Sequence, residues 1–179
     1  MDWKIDESFR KKALKFKNDY YCLFDEMEKP MEKLAGEVVW YLKQGGLWND
    51  QDAVLNVICV LPGCHFRYFL YSHYYEITDK PHEIITQPEC KVWKVDREVL
   101  LKIERISDGY EEKQKQLQQM ESGAEKEILD YLNGTGLWDH AEAVHEMRCC
   151  LPICLLRSKL DERYYELQDA KRGNLTEKD

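Results

Sequence analysis

Cysteine and histidine side chains gather in two segments of the sequence, and these are residue types that bind transition metals. The segments contain, in order, Cys59, Cys64, His65 and His73, then His145, Cys149, Cys150 and Cys154. Both follow the pattern Cys-x-Leu-Pro-x-Cys, whereas structural zinc sites generally use tighter pairs such as Cys-x₂-Cys. We therefore predict thiols packed in the core and no bound metal or cofactor. A metal, redox, cofactor or small-molecule site near these segments is the alternative, with Cys59, Cys64, His65, Cys149 and Cys154 as its ligands.

Arginine and glutamate side chains also recur at a separation of 90 residues. The recurring residues are Arg67 and Arg157, Glu37 and Glu127, and Glu76 and Glu166. We predict that each arginine pairs with one of these glutamates and fixes how two helices dock. No nucleophile or general base recurs beside them. The sequence also contains no phosphate-binding loop, dinucleotide fingerprint, zinc-protease motif or serine-hydrolase motif. We therefore expect a protein that is not an enzyme.

The same 90-residue offset relates most of the chain to itself. Residues 3–79 align with residues 93–169 without a gap, and 23 of the 77 pairs are identical. Self-similarity at a fixed period indicates a repeated folding unit. We predict a tandem duplication with repeat 1 at residues 1–80, a linker at 81–92, repeat 2 at 93–170 and a flexible tail at 171–179. Residues 90 positions apart are called counterparts below.

Each repeat is predicted to contain about four helices. From Ile5 to Met27, apolar residues recur at steps of three and four, the period of a helix that buries one face. This predicts helices at about 6–28 and 96–120, each followed by a second helix that ends at glycines. The predicted fold class is therefore all-α, a helical bundle or array.

Two further helices follow in each repeat. Asn49 or Asp50 in repeat 1, and Asp139 in repeat 2, are expected to cap the third helix. Pro62 and Pro152 then either kink a continuous helix or open a fourth helix at its first turn. This last helix is expected to run to about residue 77 or 167.

Bulk properties narrow the classes of protein. The 179 residues are 44% hydrophobic and 34% charged, which is typical of a soluble globular protein. The N-terminus does not resemble a signal peptide and no apolar run could span a bilayer, so we expect a cytoplasmic protein with reduced thiols. A net charge of −8 disfavours nucleic acid, and it fits either a protein kept soluble by its charge or one that meets a basic partner. A basic cluster that repeat 2 lacks is expected to be a solvated helix face, with contact to an anion as the alternative; it consists of Arg10, Lys11, Lys12, Lys15 and Lys17.

The two repeats differ most where one is apolar and the other polar. These pairs are Trp40 and Asp130, Ile58 and Arg148, Tyr68 and Ser158, Phe69 and Lys159, and Tyr71 and Asp161. If both repeats share one fold, polar residues mark positions that tolerate solvent. The five apolar counterparts in repeat 1 must then be covered, either by repeat 2 or by another molecule.

These patterns predict a protein-interaction module of the inhibitor, immunity or adaptor type. Its partner is expected to be a protein, with a basic protein as one candidate. The partner would bind through the aromatic surface of repeat 1 or through the acidic faces. A second copy of the chain is another candidate to cover the aromatic surface of repeat 1. Binding to a membrane is not expected.

Overall fold

The computed structural model describes residues 3–79, 90 and 92–176, with side chains to residue 172. All regular structure in this part of the chain is helical, which confirms the predicted all-α class. The helices are α1 (Glu7–Gln44), α2 (Gln51–Val60), α3 (His65–Thr78), α4 (Arg97–Gly134), α5 (Ala141–Cys149) and α6 (Leu155–Thr176), with a 3₁₀ turn at Leu137–Asp139. Most of the predicted linker, 81–92, lies outside the described residues.

Helices α1 and α4 are each continuous over 38 residues. The predicted separate helices at 6–28 and 96–120 are therefore wrong, and the described part of each half contains three α-helices. In α1 the helix continues through Pro30, whose side chain is exposed. The carbonyl that loses its N–H partner to this proline can then face water. Met27 and Met31 are buried on either side of it, so packing holds both flanks in one helix.

The short helices begin only partly as expected. Asp50 caps α2, because its carboxylate accepts the backbone N–H groups of Asp52 and Ala53. Asp139 does not cap α5, whose N-cap residue is His140. Both alternatives for the prolines are also wrong: Pro62 and Pro152 lie in the non-helical links that precede α3 and α6.

The C-terminal helix is longer than predicted. Helix α6 continues to Thr176, so residues 171–176 of the predicted tail are helical. Leu167 packs on the core, and the Lys171 ammonium lies 2.7 Å from the Glu142 carboxylate of α5. None of the helices in the described part of the chain has the length and apolar character needed to cross a bilayer.

The chain forms two compact units that do not coincide with the predicted repeats 1–80 and 93–170. Unit 1 comprises Met1–Phe24 and Lys115–Asp179, and unit 2 comprises Asp25–Gln114. The boundaries fall inside α1 and α4. Each unit therefore combines the first half of one long helix with the second half of the other and with two shorter helices.

The core of unit 1 forms around α5 and α6. Ile5 and Ala13, at the start of the chain, join the same buried cluster as Ile128 and Leu132 of α4. Met147 of α5 is fully buried in this cluster. The apolar face of the first half of α1 is thus buried by helices that follow it by more than 100 residues.

The core of unit 2 is likewise formed by half of each long helix and two shorter helices. Leu34, Val57 and Leu70 are buried from α1, α2 and α3, and Ile103 is buried from α4. Asn56, fully buried on α2, holds the segment that leads into α4. Its side-chain oxygen accepts the N–H groups of residues 94 and 95, and its amide donates to the carbonyl of residue 92.

Candidate functional site

The second half of α1 carries an exposed face of low polarity in unit 2. Glu32, Gly36 and Trp40 are exposed on successive turns, and 66% of the Trp40 surface is accessible. Ala35 and Val39 beside them are half-buried. Residues three and four positions apart share one face of a helix, so these five form one continuous strip.

Helix α3 supplies aromatic side chains to the same region of unit 2. Leu70 and Tyr74 are buried and hold the opposite face of α3 against the core. This orientation leaves Phe69 52% exposed. The Phe69 ring lies 6.4 Å from the ring of Phe66 and 6.2 Å from that of Trp48. The exposed aromatic ring is therefore held in place by neighbouring rings.

A groove of 500 Å³ lies between these two helices, and we call it the α1/α3 groove. Its lining residues are Glu28, Met31, Glu32, Ala35, Gly36, Val39, His65, Phe66 and Phe69. The interior is apolar, and its charged members are the two carboxylates, with a single histidine. Burial and the Glu28 carboxylate raise the pKa of Tyr110, whose hydroxyl donates to that carboxylate at 2.9 Å. The hydrogen bond fixes Glu28 in position.

The counterpart location in unit 1 is spanned by an ion pair. Ala35 and Phe69 have Glu125 and Lys159 as counterparts, and the Lys159 ammonium contacts the Glu125 carboxylate. This pair links α4 to α6, so it spans the position that remains open between α1 and α3.

A second polar contact lies at the same location in unit 1. Glu121, the counterpart of Met31, accepts the backbone N–H of Leu156 at 3.3 Å. A carboxylate near the start of α6 is favoured by the helix dipole. The two halves thus use different chemistry at equivalent positions: polar contacts in unit 1 and an open apolar groove in unit 2.

Three of the five predicted partner-binding residues are exposed. Trp40 and Tyr68 are 66% and 65% exposed, and Phe69 belongs to the α1/α3 groove. Tyr71 is half-buried. Ile58 is fully buried, so its assignment to a binding surface is wrong.

The error at Ile58 has a physical cause in its counterpart. Arg148 is not a solvent-facing residue: its side chain is only 17% exposed, and its guanidinium lies 2.6 Å from the carboxylate of Asp161. The guanidinium also lies 4.8 Å from the centre of the Tyr164 ring. A polar residue in one repeat therefore does not always mark a position that tolerates solvent, because it can be satisfied by a partner inside the fold.

The cysteines differ in bonding and in burial. Cys59 forms a disulfide with Cys90, which contradicts the prediction that all the thiols are reduced. Burial raises the pKa of the free thiol of Cys64, as it does for Cys154. Cys149 is an exposed free thiol. Among the described residues, no three cysteine, histidine, aspartate or glutamate side chains gather as metal ligands.

The predicted pairing of Arg67 and Arg157 with the recurring glutamates is also wrong. The four glutamates contact other bases, in the pairs Glu37–Lys102, Glu127–Lys12, Glu76–His73 and Glu166–Arg163. Arg67 instead places its guanidinium 5.7 Å from the centre of the Tyr71 ring and donates to that hydroxyl at 3.4 Å. Glu37 and Glu127 therefore hold lysines of the long helices, whereas Glu76 and Glu166 each contact a residue three positions earlier in the same helix.

The basic cluster of α1 is engaged within unit 1. Arg10 lies 3.5 Å from Glu146, and Lys12 contacts Glu127. Lys17 donates to the backbone carbonyl of Cys149 at 3.1 Å. These contacts give the cluster a role in connecting α1 to the rest of unit 1.

Comparison of the repeats could have identified more of the groove than it did. Met31, Ala35 and Gly36 line the groove, and their counterparts are two glutamates and a lysine. This apolar-to-polar contrast is the same signal that identified Trp40 and Phe69. Phe66 was not detectable in this way, because its counterpart, Leu156, is also apolar.

No protein-family model matches the sequence, and no curated protein or solved structure is significantly similar to it.

Proposed function

We propose that this protein is a non-enzymatic protein-interaction module that binds an amphipathic helix of a partner protein in the α1/α3 groove. Inhibitor, immunity and adaptor proteins are modules of this kind. The observation that carries the proposal is the contrast between the two units. The groove is open and apolar in unit 2, whereas the Lys159–Glu125 ion pair occupies its counterpart in unit 1.

The shape of the groove supports a helical occupant. Helix-in-groove recognition uses apolar side chains at steps of three and four that enter a hydrophobic cleft between helices. Here Met31 and Phe66 form buried parts of the lining, while Trp40 and Phe69 remain exposed nearby. Large aromatic side chains of this kind contribute most to binding energy at protein interfaces.

Charge supports a basic residue in the occupant. Glu28 and Glu32 are the carboxylates of the groove, and the whole chain has a net charge of −8. A lysine or arginine of the partner helix would meet them, and the excess negative charge would accelerate encounter with a basic protein. Binding is then expected to weaken as the salt concentration rises.

The helix boundaries support the proposal that the chain arose by tandem duplication. Helices α1 and α4 begin at Glu7 and Arg97, and helices α3 and α6 begin at His65 and Leu155, each pair 90 residues apart. Duplication provides two copies of one scaffold. We propose that repeat 1 retains the open groove and that repeat 2 has closed it with charged residues.

A display selection tests the proposed function with a defined probe. A library of randomised helical peptides would be selected against the wild-type chain. Bound peptides would then be measured against a variant carrying Ala35→Glu and Phe69→Lys, which introduces the ion pair of unit 1 into the groove. The matched control carries Glu125→Ala and Lys159→Phe at the counterpart positions. We expect selected peptides with apolar residues at helical spacing and a basic end, bound at least tenfold more weakly by the first variant only.

Two outcomes would contradict the proposal. Peptides that bind the wild type and the groove variant equally would show that the groove is not the binding site. A concentration-dependent dimer in sedimentation experiments, abolished by the same variant, would identify a second copy of the chain as the occupant. Circular dichroism would establish that both double variants retain the helical fold.

A further inference from the structure

In unit 1, an aromatic ring occupies part of the space between the two long helices. Phe9 of α1 stacks on Tyr131 of α4, with ring centres 3.8 Å apart and planes 10° apart. The Tyr131 hydroxyl accepts the backbone N–H of Asp6 at 2.8 Å. The tyrosine ring is therefore fixed where the first turn of α1 begins, and Phe9 covers its face.

Unit 2 contains the equivalent polar contacts at the counterpart positions. The Tyr41 hydroxyl accepts the backbone N–H of Asp96 at 3.2 Å and donates to the same residue's carboxylate at 2.9 Å. The Lys102–Glu37 ion pair of unit 2 corresponds to the Lys12–Glu127 pair of unit 1. Unit 2 therefore has the tyrosine hydrogen bonds and the ion pair that flank the stacked ring in unit 1.

The stacking ring itself is absent from unit 2, where Val99 is the counterpart of Phe9. A groove of 460 Å³ lies there, lined by Leu34, Gly36, Glu37, Val38, Trp40, Tyr41, Val99 and Lys102. We call it the α1/α4 groove. The groove on the equivalent helices of unit 1, with Phe9 among its lining residues, measures 280 Å³. Because valine is smaller than phenylalanine, Tyr41 and the half-buried Val99 border an open apolar site.

We infer that the α1/α4 groove binds an aromatic side chain of a partner protein, stacked on Tyr41 as Phe9 stacks on Tyr131. Trp40, 66% exposed at the groove, offers a second aromatic surface to that ring. Lys102 and Glu37 satisfy each other, so the groove favours an uncharged ring over a charged side chain. This site extends the proposed function but stands on a separate groove.

Gly36 supports a close approach by the partner at this point. It lines both the α1/α4 and the α1/α3 grooves, and no atom lies within 4 Å of a Cβ built on it. Packing within unit 2 therefore does not require a glycine here, although glycine disfavours the interior of a helix relative to alanine. A partner whose backbone crosses α1 at Gly36 could reach both grooves at once.

Binding of N-acetyl-phenylalaninamide, monitored by NMR, tests the inference without the partner. We expect millimolar binding that shifts resonances of Tyr41 and the Trp40 indole, with N-acetyl-leucinamide binding at least fivefold more weakly. Val99→Phe, which recreates the arrangement of unit 1, should abolish binding. Trp40→Asp, which introduces the counterpart residue at an exposed position, should weaken it severalfold. The second variant decides the outcome if the first does not fold.

Other results would overturn the inference. These are the absence of shifts at Tyr41, equal binding of the leucine derivative, or undiminished binding by a folded Val99→Phe or Trp40→Asp variant. The Ala35→Glu and Phe69→Lys variant should bind the phenylalanine derivative normally. A failure at the α1/α4 groove would therefore be distinguishable from a failure at the α1/α3 groove.

Discussion

The Tyr131 hydroxyl accepts a hydrogen bond from the backbone N–H of Asp6 at 2.8 Å, across 125 residues of sequence. Tyr41 and Asp96 form the counterpart contact in unit 2. Each tyrosine thereby holds the start of a long helix that belongs to the other half of the sequence. The same contact in both units indicates that it is part of the scaffold.

Removing either hydroxyl should destabilise the protein. Tyr131→Phe and Tyr41→Phe are each expected to lower the free energy of unfolding by about 1 kcal/mol, because a backbone N–H loses its partner. Urea unfolding followed by circular dichroism measures this change. Tyr68→Phe, at a 65% exposed side chain, is the control. Equal stability of the wild type and both variants would exclude a structural role for these hydroxyls.

The Asp50 carboxylate should make stability depend on acid. It caps α2 and lies 2.7 Å from the Lys94 ammonium, and the hydrogen bond from Lys94 lowers the pKa of Asp50. Because the folded-state pKa is depressed, the contribution is complete above the unfolded-state value of about 4. It is lost as the pH falls through the folded-state value.

Asp50→Ala is expected to lower the free energy of unfolding by about 1 kcal/mol at pH 7, a typical effect of removing an N-cap. The difference from the wild type should shrink as the pH falls below about 4, where the unfolded chain is protonated first, and should be lost once the pH is below the lower folded-state pKa of Asp50. Thermal unfolding between pH 7 and pH 3 measures it. Asp50→Asn, which keeps a capping oxygen without the charge, should lie between the two at pH 7. A difference that is independent of pH would contradict the role of the charge.

The Arg148–Asp161 pair should be replaceable by its counterpart residues. Asp161→Ala leaves the guanidinium of a side chain that is 17% exposed without its carboxylate. We expect a loss of about 1–2 kcal/mol, less than for a fully buried pair, because the carboxylate is partly exposed. The double variant Arg148→Ile and Asp161→Tyr introduces the residues of repeat 1 and should approach wild-type stability. Chemical unfolding of all three proteins gives these values, and a double variant less stable than Asp161→Ala would show that the apolar pair does not fit unit 1.

The Cys59–Cys90 disulfide predicts a defined thiol count. The described structure contains five free cysteines among the seven of the chain. Titration under denaturing conditions should therefore find five reactive thiols before reduction and seven after it. The bond spans 31 residues, so Cys59→Ser should lower the free energy of unfolding by about 3–4 kcal/mol. Cys149→Ser, at the exposed counterpart thiol, is the matched control, and seven thiols in the unreduced protein would rule out the disulfide.

Much of the local structure was predictable from the sequence. The period of apolar residues in α1 and α4 specified their helical character, and Gly46 and Gly136 adopt the left-handed backbone conformation that ends a helix, with φ of 69° and 72°. The continuity of α1 through Pro30 was not predictable, because it depends on burial of the helix on both sides of the proline. Only packing against other helices provides that burial.

The candidate site was predictable only in part. Contrast between the repeats identified Trp40, Tyr68 and Phe69, which are exposed, but it also selected Ile58, which is buried. Whether such a residue is exposed or buried depends on whether its polar counterpart faces water or another side chain of the same fold. The sequence does not contain this information. His73 and Arg163 are counterparts of different type, yet their side chains make equivalent contacts, with the backbone carbonyls of Trp48 and Trp138 respectively.

The sequence by itself determined the all-α class and some helix ends, such as the Asp50 cap of α2 and the glycines that follow α1, because these features depend on local periodicity, capping and turn residues. The tertiary structure alone decided which half of each long helix joins which core. An amphipathic face specifies that it must be buried, but any complementary apolar surface satisfies it. Only three-dimensional packing showed that the first half of α1 is buried with α5 and α6 in unit 1. For the same reason, the open grooves of unit 2 became visible only once the packed helices had left them unfilled.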